Sequence, residues 1–219
     1  MKYLGLVLLV VLFSASTFAQ TGIQGTKHNF SGATWNASTQ ICLPCHAPHG
    51  HYGATTRLWN HAPTVATYTT KRTDFATELG AVTETSRKCL SCHDGTVALN
   101  SFSGNTGQSM MPGTEGHGGA LLGTDLSNDH PISVEYKPAA LGYTGTSTSM
   151  KPVTSAGKIG SLRLTKADVN GAKYNVECST CHTAHGATEV IGQNAPSNIP
   201  NLLRMNNNSS ALCITCHNK

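Results

Sequence analysis

All eight cysteines of the chain fall into four Cys-x-x-Cys pairs, Cys42/Cys45, Cys89/Cys92, Cys178/Cys181 and Cys213/Cys216. Each pair is followed at once by a histidine: His46, His93, His182 and His217. The chain has 11 histidines in 219 residues. Four such placements by chance have a probability on the order of one in a hundred thousand, and Cys-x-x-Cys-His is the attachment pattern of c-type haem. The spacing has a chemical reason. Two thiols two residues apart on a helical turn reach the two vinyl groups of one porphyrin and form thioethers, and the next residue is carried under the iron, where its imidazole coordinates. Four covalent haems are therefore expected, with His46, His93, His182 and His217 as proximal ligands. Zinc held by four thiolates would leave the histidine after every pair without a purpose. Disulfides within such pairs would be a poor framework for closing long loops.

What fills the second axial position decides the chemistry. An iron with two histidines is saturated and can only pass electrons, whereas an open position admits nitrite, hydroxylamine or peroxide. The remaining histidines are His28, His49, His51, His61, His117, His130 and His185, more than four irons need. Methionine is the alternative distal ligand, at Met110, Met111, Met150 or Met205. It would raise the potential of that haem, but with histidine in surplus these residues are expected to serve packing. His49 and His185 each follow a proximal histidine by three residues, so each lies about 5–6 Å from it on the same face of a helical turn. Neither can swing round its own porphyrin. Each must serve a different haem, which draws two porphyrins together. Pro48, Gly50 and Gly186 suit the end of a short helix there.

An internal repeat follows. His28, Cys-x-x-Cys-His-x-x-His-Gly at 42–50 and Cys-x-x-Cys-His at 89–93 are matched by His130, the same nine-residue pattern at 178–186, and Cys-x-x-Cys-His at 213–217. Each half then holds two haems and two spare histidines, which makes His28, His49, His130 and His185 the expected distal ligands. In the simplest assignment His49 serves the haem on Cys89/Cys92 and His185 the haem on Cys213/Cys216. His28 and His130 are left for the other two, in an order the sequence leaves open. His61 has a weaker claim, and His51 and His117 sit in Gly-rich, polar surroundings that suit loops.

Several phrases carry a resemblance: Gly-Thr-Lys-His-Asn-Phe-Ser (25–31), Cys-x-x-Cys-His-Ala-Pro-His-Gly (42–50), Leu-Trp-Asn-His (58–61), Cys-Leu-Ser-Cys-His-Asp-Gly-Thr-Val-Ala (89–98), Asp-Leu-Ser-Asn-Asp-His-Pro-Ile (125–132) and the final Ala-Leu-Cys-Ile-Thr-Cys-His. Together they resemble exported multihaem cytochromes with doubled Cys-x-x-Cys-His motifs, above all the OmcE type of tetrahaem cytochrome that polymerises into extracellular conductive filaments. The resemblance spans nearly all of the chain beyond its first twenty residues. It implies distal ligands at His28, His49, His130 and His185, haems stacked in pairs along one line, and a distal ligand that one subunit lends to the next. His28, near the N-terminus, is the candidate for lending. The implied function is electron transfer to external acceptors by a homopolymer, with other redox proteins as partners and no enzymatic activity. A soluble periplasmic carrier shares the same phrases, and a nitrogen-oxide oxidoreductase would require a haem lacking its distal histidine.

The elements that must hold these residues are sparse. Lys2, an apolar run at 4–13 and small residues at 14–19 read as a secretory signal, 1–19, leaving one tetrahaem domain at 20–219 in two dihaem halves, about 20–115 and 116–219. No later run is long enough to span a bilayer. Charged residues are 12% of the chain and aromatics 6%, against about 25% charged in an ordinary domain. The net charge is +4, with no basic run that would suit nucleic acid. Porphyrins would supply the apolar surface that the side chains lack. The expected fold class is a multihaem cytochrome c: mostly irregular chain, short α-helices at the attachment sites, little β. Helices are predicted at 176–183 and at 210–216, the latter capped by Ser209 or Ser210. Loops are predicted at 101–124 and 140–160, and short strands at 132–136 and 161–164. Asn36-Ala-Ser and Asn208-Ser-Ser match a glycosylation pattern by chance, in a chain rich in Asn and Ser.

Overall fold

The computed structural model describes residues 22–49, 58–70, 81–115, 119–136, 150–154, 157–167, 173–186 and 202–218. The signal at 1–19, His51, His117 and most of the loop at 140–160 lie outside them. Among the described residues are three α-helices, α1 (Glu84–His93), α2 (Cys178–Cys181) and α3 (Ala211–Cys216), and two 3-10 turns, Gly22–Gly25 and Asn208–Ser210. They also include five strands: β1 (Val134–Glu135), β2 (Lys158–Ile159), β3 (Leu162–Arg163), β4 (Thr165–Lys166) and β5 (Tyr174–Val176). Long stretches between them are irregular, 101–115 and 119–124 included.

Each helix carries a Cys-x-x-Cys pair. The pair at Cys42 and Cys45 instead sits on a single turn, with the Cys45 and His46 amides donating to the Cys42 carbonyl at 3.1 and 2.8 Å. Pro44, lacking an amide proton, suits a turn that does not propagate. The helix predicted at 176–183 is only four residues long, Cys178–Cys181. Val176 is taken by β5, where it pairs with Val134, and the backbone is extended at both Glu177 (φ −128°, ψ 169°) and His182 (φ −112°, ψ 151°). At α3 neither serine caps through its side chain. Ser209 and Ser210 have φ of 52° and 60°, and Asn207 Oδ1 accepts the Leu212 amide at 3.0 Å instead.

The strands predicted at 132–136 and 161–164 are two residues each, β1 and β3. β1, β5 and β4 form an antiparallel sheet with β5 in the centre. β2 and β3 form a hairpin with a two-residue turn, in which Gly160 takes φ 57° at little steric cost. Asn36 is buried, and its Nδ2 donates to the Phe30 and Gln40 carbonyls at 2.9 and 3.0 Å, so its first glycosylation match is a structural residue.

The repeat is written into the backbone. In the first half the Ala47 amide donates to Leu58 O at 3.0 Å and the Asn60 amide to Cys45 O at 3.0 Å. In the second, the Thr183 amide donates to Leu202 O at 2.8 Å and the Arg204 amide to Cys181 O at 2.8 Å. Both leucines are in the left-handed region, Leu58 at φ 56° and Leu202 at φ 55°, an uncommon conformation for a residue with a Cβ. Each nine-residue motif is thus latched by a downstream segment of the same shape.

The apolar core is split into small clusters beside the Cys-x-x-Cys pairs. Tyr136, Ile159, Leu164 and Val176 form one, against which Cys216 packs. Tyr136 Oη donates to Lys151 O at 2.7 Å and lies 3.1 Å from Cys216 O, tying the end of α3 to the sheet. Val82, Leu90 and Leu126 form the other, and Leu90, wholly buried, lies between Cys89 and Cys92 on α1. Truncating Leu90→Ala should therefore cost about 2–5 kcal/mol of stability, read as a fall in the thermal unfolding midpoint of the purified protein. An unchanged midpoint would show that this cluster does not hold α1.

Candidate functional site

Three pairs of histidine rings face one another. His28 and His93 have ring centroids 6.1 Å apart, His46 and His185 6.1 Å, and His130 and His217 6.4 Å. Every pair joins one histidine that follows a Cys-x-x-Cys with one that does not. An imidazole nitrogen binds a first-row metal at about 2 Å, so two imidazoles on opposite sides of one iron have their ring centres about 6 Å apart. The observed separations match that requirement.

The ring nitrogens are disposed for the same use. His28 Nδ1 lies 3.1 Å from Ala184 O, His93 Nδ1 2.6 Å from Ala120 O, and His130 Nδ1 2.9 Å from Pro131 O. A carbonyl can only accept, so each Nδ1 carries a proton, and the neutral form of each ring is the tautomer that presents the Nε2 lone pair, as in histidines oriented to bind metal. Burial is the main influence on His28 and lowers its pKa, which favours the neutral, ligating form.

His61 is different. It is almost wholly buried, with Nδ1 2.9 Å from Ala62 O and Nε2 3.1 Å from Ala98 O; burial lowers its pKa, and the single N–H of a neutral ring donates to one of the two carbonyls. Nε2 also lies 3.6 Å from Cys92 Sγ. His61 thus packs beside the Cys89/Cys92 pair, tied to the backbone at Ala62 or Ala98.

The ring partners differ from the simplest assignment in the sequence. His93 faces His28 where His49 was expected, and His217 faces His130 where His185 was expected. His185 faces His46. The segment from Gly22 to His28 lies against the turn after His185: a Cβ built on Gly186, at φ 90°, would come within 3.0 Å of Gly22 O. That packing seats His28 against Ala184 and aims it at α1. His49 and His182 are both exposed.

The eight cysteines are free thiols, and the pairs adjoin one another in chain order. Cys45 is an electrostatic neighbour of Cys92, the thiols of Cys89 and Cys178 share a hydrogen bond, and Cys181 neighbours Cys216 and Cys213. Burial pushes the thiols of Cys45 and Cys181 up to about 11 and that of Cys92 up to about 12. The hydrogen bond with Cys178, followed by burial, raises Cys89 well above its usual value. Such thiols are protonated at neutral pH, and a thioether, which has no proton to lose, suits these surroundings.

Two further observations bear on whether a haem fits. Trp59 Nε1 is buried with no acceptor, and its ring stands edge-on to His46 at 6.3 Å. A buried indole N–H wants an acceptor, which a porphyrin carboxylate could provide. Among the described residues no group of three or more His, Cys, Asp or Glu is arranged to hold one metal ion. A haem iron asks the protein for two ligands, so pairs are the form its protein ligands take.

No family model matches the chain, and no curated protein matches it either.

His61→Leu leaves the Ala62 carbonyl without its partner, whereas Ala98 O keeps the Ser101 amide at 2.9 Å, and should cost about 1–3 kcal/mol of stability, read as a fall in the thermal unfolding midpoint. An unchanged midpoint would show that His61 does not hold this packing.

Proposed function

We propose that the chain is an exported tetrahaem c-type cytochrome that carries electrons and performs no substrate chemistry. Each iron would be held between two histidines: His93 with His28, His46 with His185, His217 with His130, and, as the two left of the eight expected ligands, His182 with His49. The observation that carries this reading is the set of three ring pairs at 6.1–6.4 Å, each joining a Cys-x-x-Cys-His histidine to a spare one. Bound haem c supplies a one-electron couple between ferric and ferrous iron.

The residues divide the work. The paired cysteines anchor covalently, and the carbonyls of Ala184, Ala120 and Pro131 hold three imidazoles in the tautomer that presents Nε2. Two histidines per iron leave no position for a substrate, which favours a carrier over an oxidoreductase. The two His-x-x-His motifs exchange their second histidines in this scheme, so the sites on Cys42/Cys45 and Cys178/Cys181 each depend on the other half of the chain. The resemblance to filament-forming cytochromes supports assembly of copies into an extracellular conduit. Exposure of Cys42 and Cys213, at the first and last sites, leaves both within reach of a neighbouring copy. In this scheme His28 serves the site of His93 in its own chain, 6.1 Å away between ring centres, in place of the lending that the resemblance implies.

Expressed in a host that matures c-type cytochromes, the protein should have a mass greater than its polypeptide by four haems and only low-spin ferric signals. Absence of covalent haem would overturn the proposal, and a high-spin signal in the unmodified protein would turn it toward an oxidoreductase. Filaments in electron micrographs would support the conduit, and isolated particles at high concentration would replace it with a soluble carrier. His49→Ala should create one high-spin haem in the full protein but none in a Cys178→Ala/Cys181→Ala background, where its iron is never attached. A new high-spin haem in that background would assign His49 elsewhere.

A further inference from the structure

Glu177 is 1% exposed and lies between two attachment sites. One carboxylate oxygen accepts Thr83 Oγ1 at 2.9 Å, and the other accepts Ser86 Oγ at 2.5 Å and Ser133 Oγ at 2.9 Å. Thr83 and Ser86 belong to the N-terminal end of α1, and Ser133 immediately precedes β1. Two of these hydroxyls are already acceptors, Ser86 Oγ from the Cys178 amide at 3.1 Å and Ser133 Oγ from the Thr83 amide at 2.9 Å. Their protons, with that of Thr83, converge on a carboxyl group that has only to accept. An ionised carboxylate is acceptor-only, so the network is satisfied throughout when Glu177 carries its charge.

That charge is met by the three hydroxyls and, in the capping box of α2, by the Thr180 amide. The N-terminus of α1 supplies the compensating field. Thr83, the residue capping α1, makes no side-chain bond to the helix, and the carboxylate from a distant part of the chain occupies that end instead. Ser86, one turn before Cys89 on α1, donates to Glu177 and accepts the amide of Cys178, so this one carboxylate joins the stretch that carries Cys89 to the stretch that carries Cys178.

We infer that Glu177 is a fixed negative charge between the haem attached at Cys89/Cys92 and the haem attached at Cys178/Cys181, joining the two sites and lowering the reduction potential of both. The inference rests on the tetrahaem reading above. Ferric haem carries one more positive charge than ferrous haem, so a nearby carboxylate in a poorly screened interior favours the oxidised form. Glu177 touches neither iron nor iron ligand and acts as a positioning and electrostatic residue.

The test is a spectroelectrochemical titration of the purified holoprotein and of two variants. Glu177→Gln keeps the shape and removes the charge: two of the four potentials should rise, the other two stay, and four haems remain by mass. Glu177→Asp keeps the charge and shortens the reach: thermal stability should fall while all four potentials stay low. Unchanged potentials in a four-haem Glu177→Gln protein overturn the inference and leave the tetrahaem reading standing. Equal upward shifts in the glutamine and aspartate variants also overturn it, because geometry and not charge would then be the cause. An unmodified protein without covalent haem overturns both.

Discussion

Two imidazoles about 6 Å apart occur three times in this chain, and much of the remaining structure serves to keep them there. The distance is short enough that the backbone on both sides must be held firmly. For His28 and His93 the holding groups are the carbonyls of Ala184 and Ala120; for His46 it is the latch that joins residues 45–47 to 58–60. Histidine has only two side-chain torsions, so a ring bonded at Nδ1 and fixed at its Cα has little freedom left.

A chain so poor in large apolar residues organises itself with hydrogen bonds where others use packing. Buried acidic groups are the clearest instance. Asp94, directly after His93, accepts Thr64 Oγ1 and Tyr68 Oη at 2.6 Å each and the Thr96 amide at 2.7 Å. Glu177 has its three hydroxyls. Buried charge is costly unless its lone pairs are satisfied, and here threonine, serine and tyrosine satisfy them. The abundance of small hydroxyl residues, which in composition resembles disorder, is in part the material of these networks. Thioether anchors, as proposed, would pin such a chain at four further places without any larger core.

The sequence shows the chemistry more readily than the pairing. Cys-x-x-Cys-His is read locally, and the distinction between His28, His130 and His185 as candidate ligands and His61 as a weaker one follows from position in the repeat. The partner of each ring is decided by segments far apart in sequence. Nothing in residues 22–28 announces that they lie against residues 184–186, and so the simplest assignment kept His49 near His93. The secondary structure is similar in this respect. Helices are expected at all four pairs and form at three, Pro44 leaving the first as a turn, and strands of two or three residues are too short for alternation to appear. The latch at Leu202 shares only its leucine with Leu58-Trp59-Asn60, and its left-handed backbone has no signature a leucine could carry. Glu177, a lone acid before a cysteine, gives no sign that its partners are Thr83, Ser86 and Ser133.

The facing of His46 and His185 has a consequence for how the chain is made. Chains are synthesised and exported from the N-terminus and begin folding in that order. His46 therefore emerges first and its ring partner only after three of the four cysteine motifs have passed. The earliest site is completed late. A truncated product would have its first site still lacking its partner, so the topology ties the integrity of the beginning of the chain to the arrival of its end.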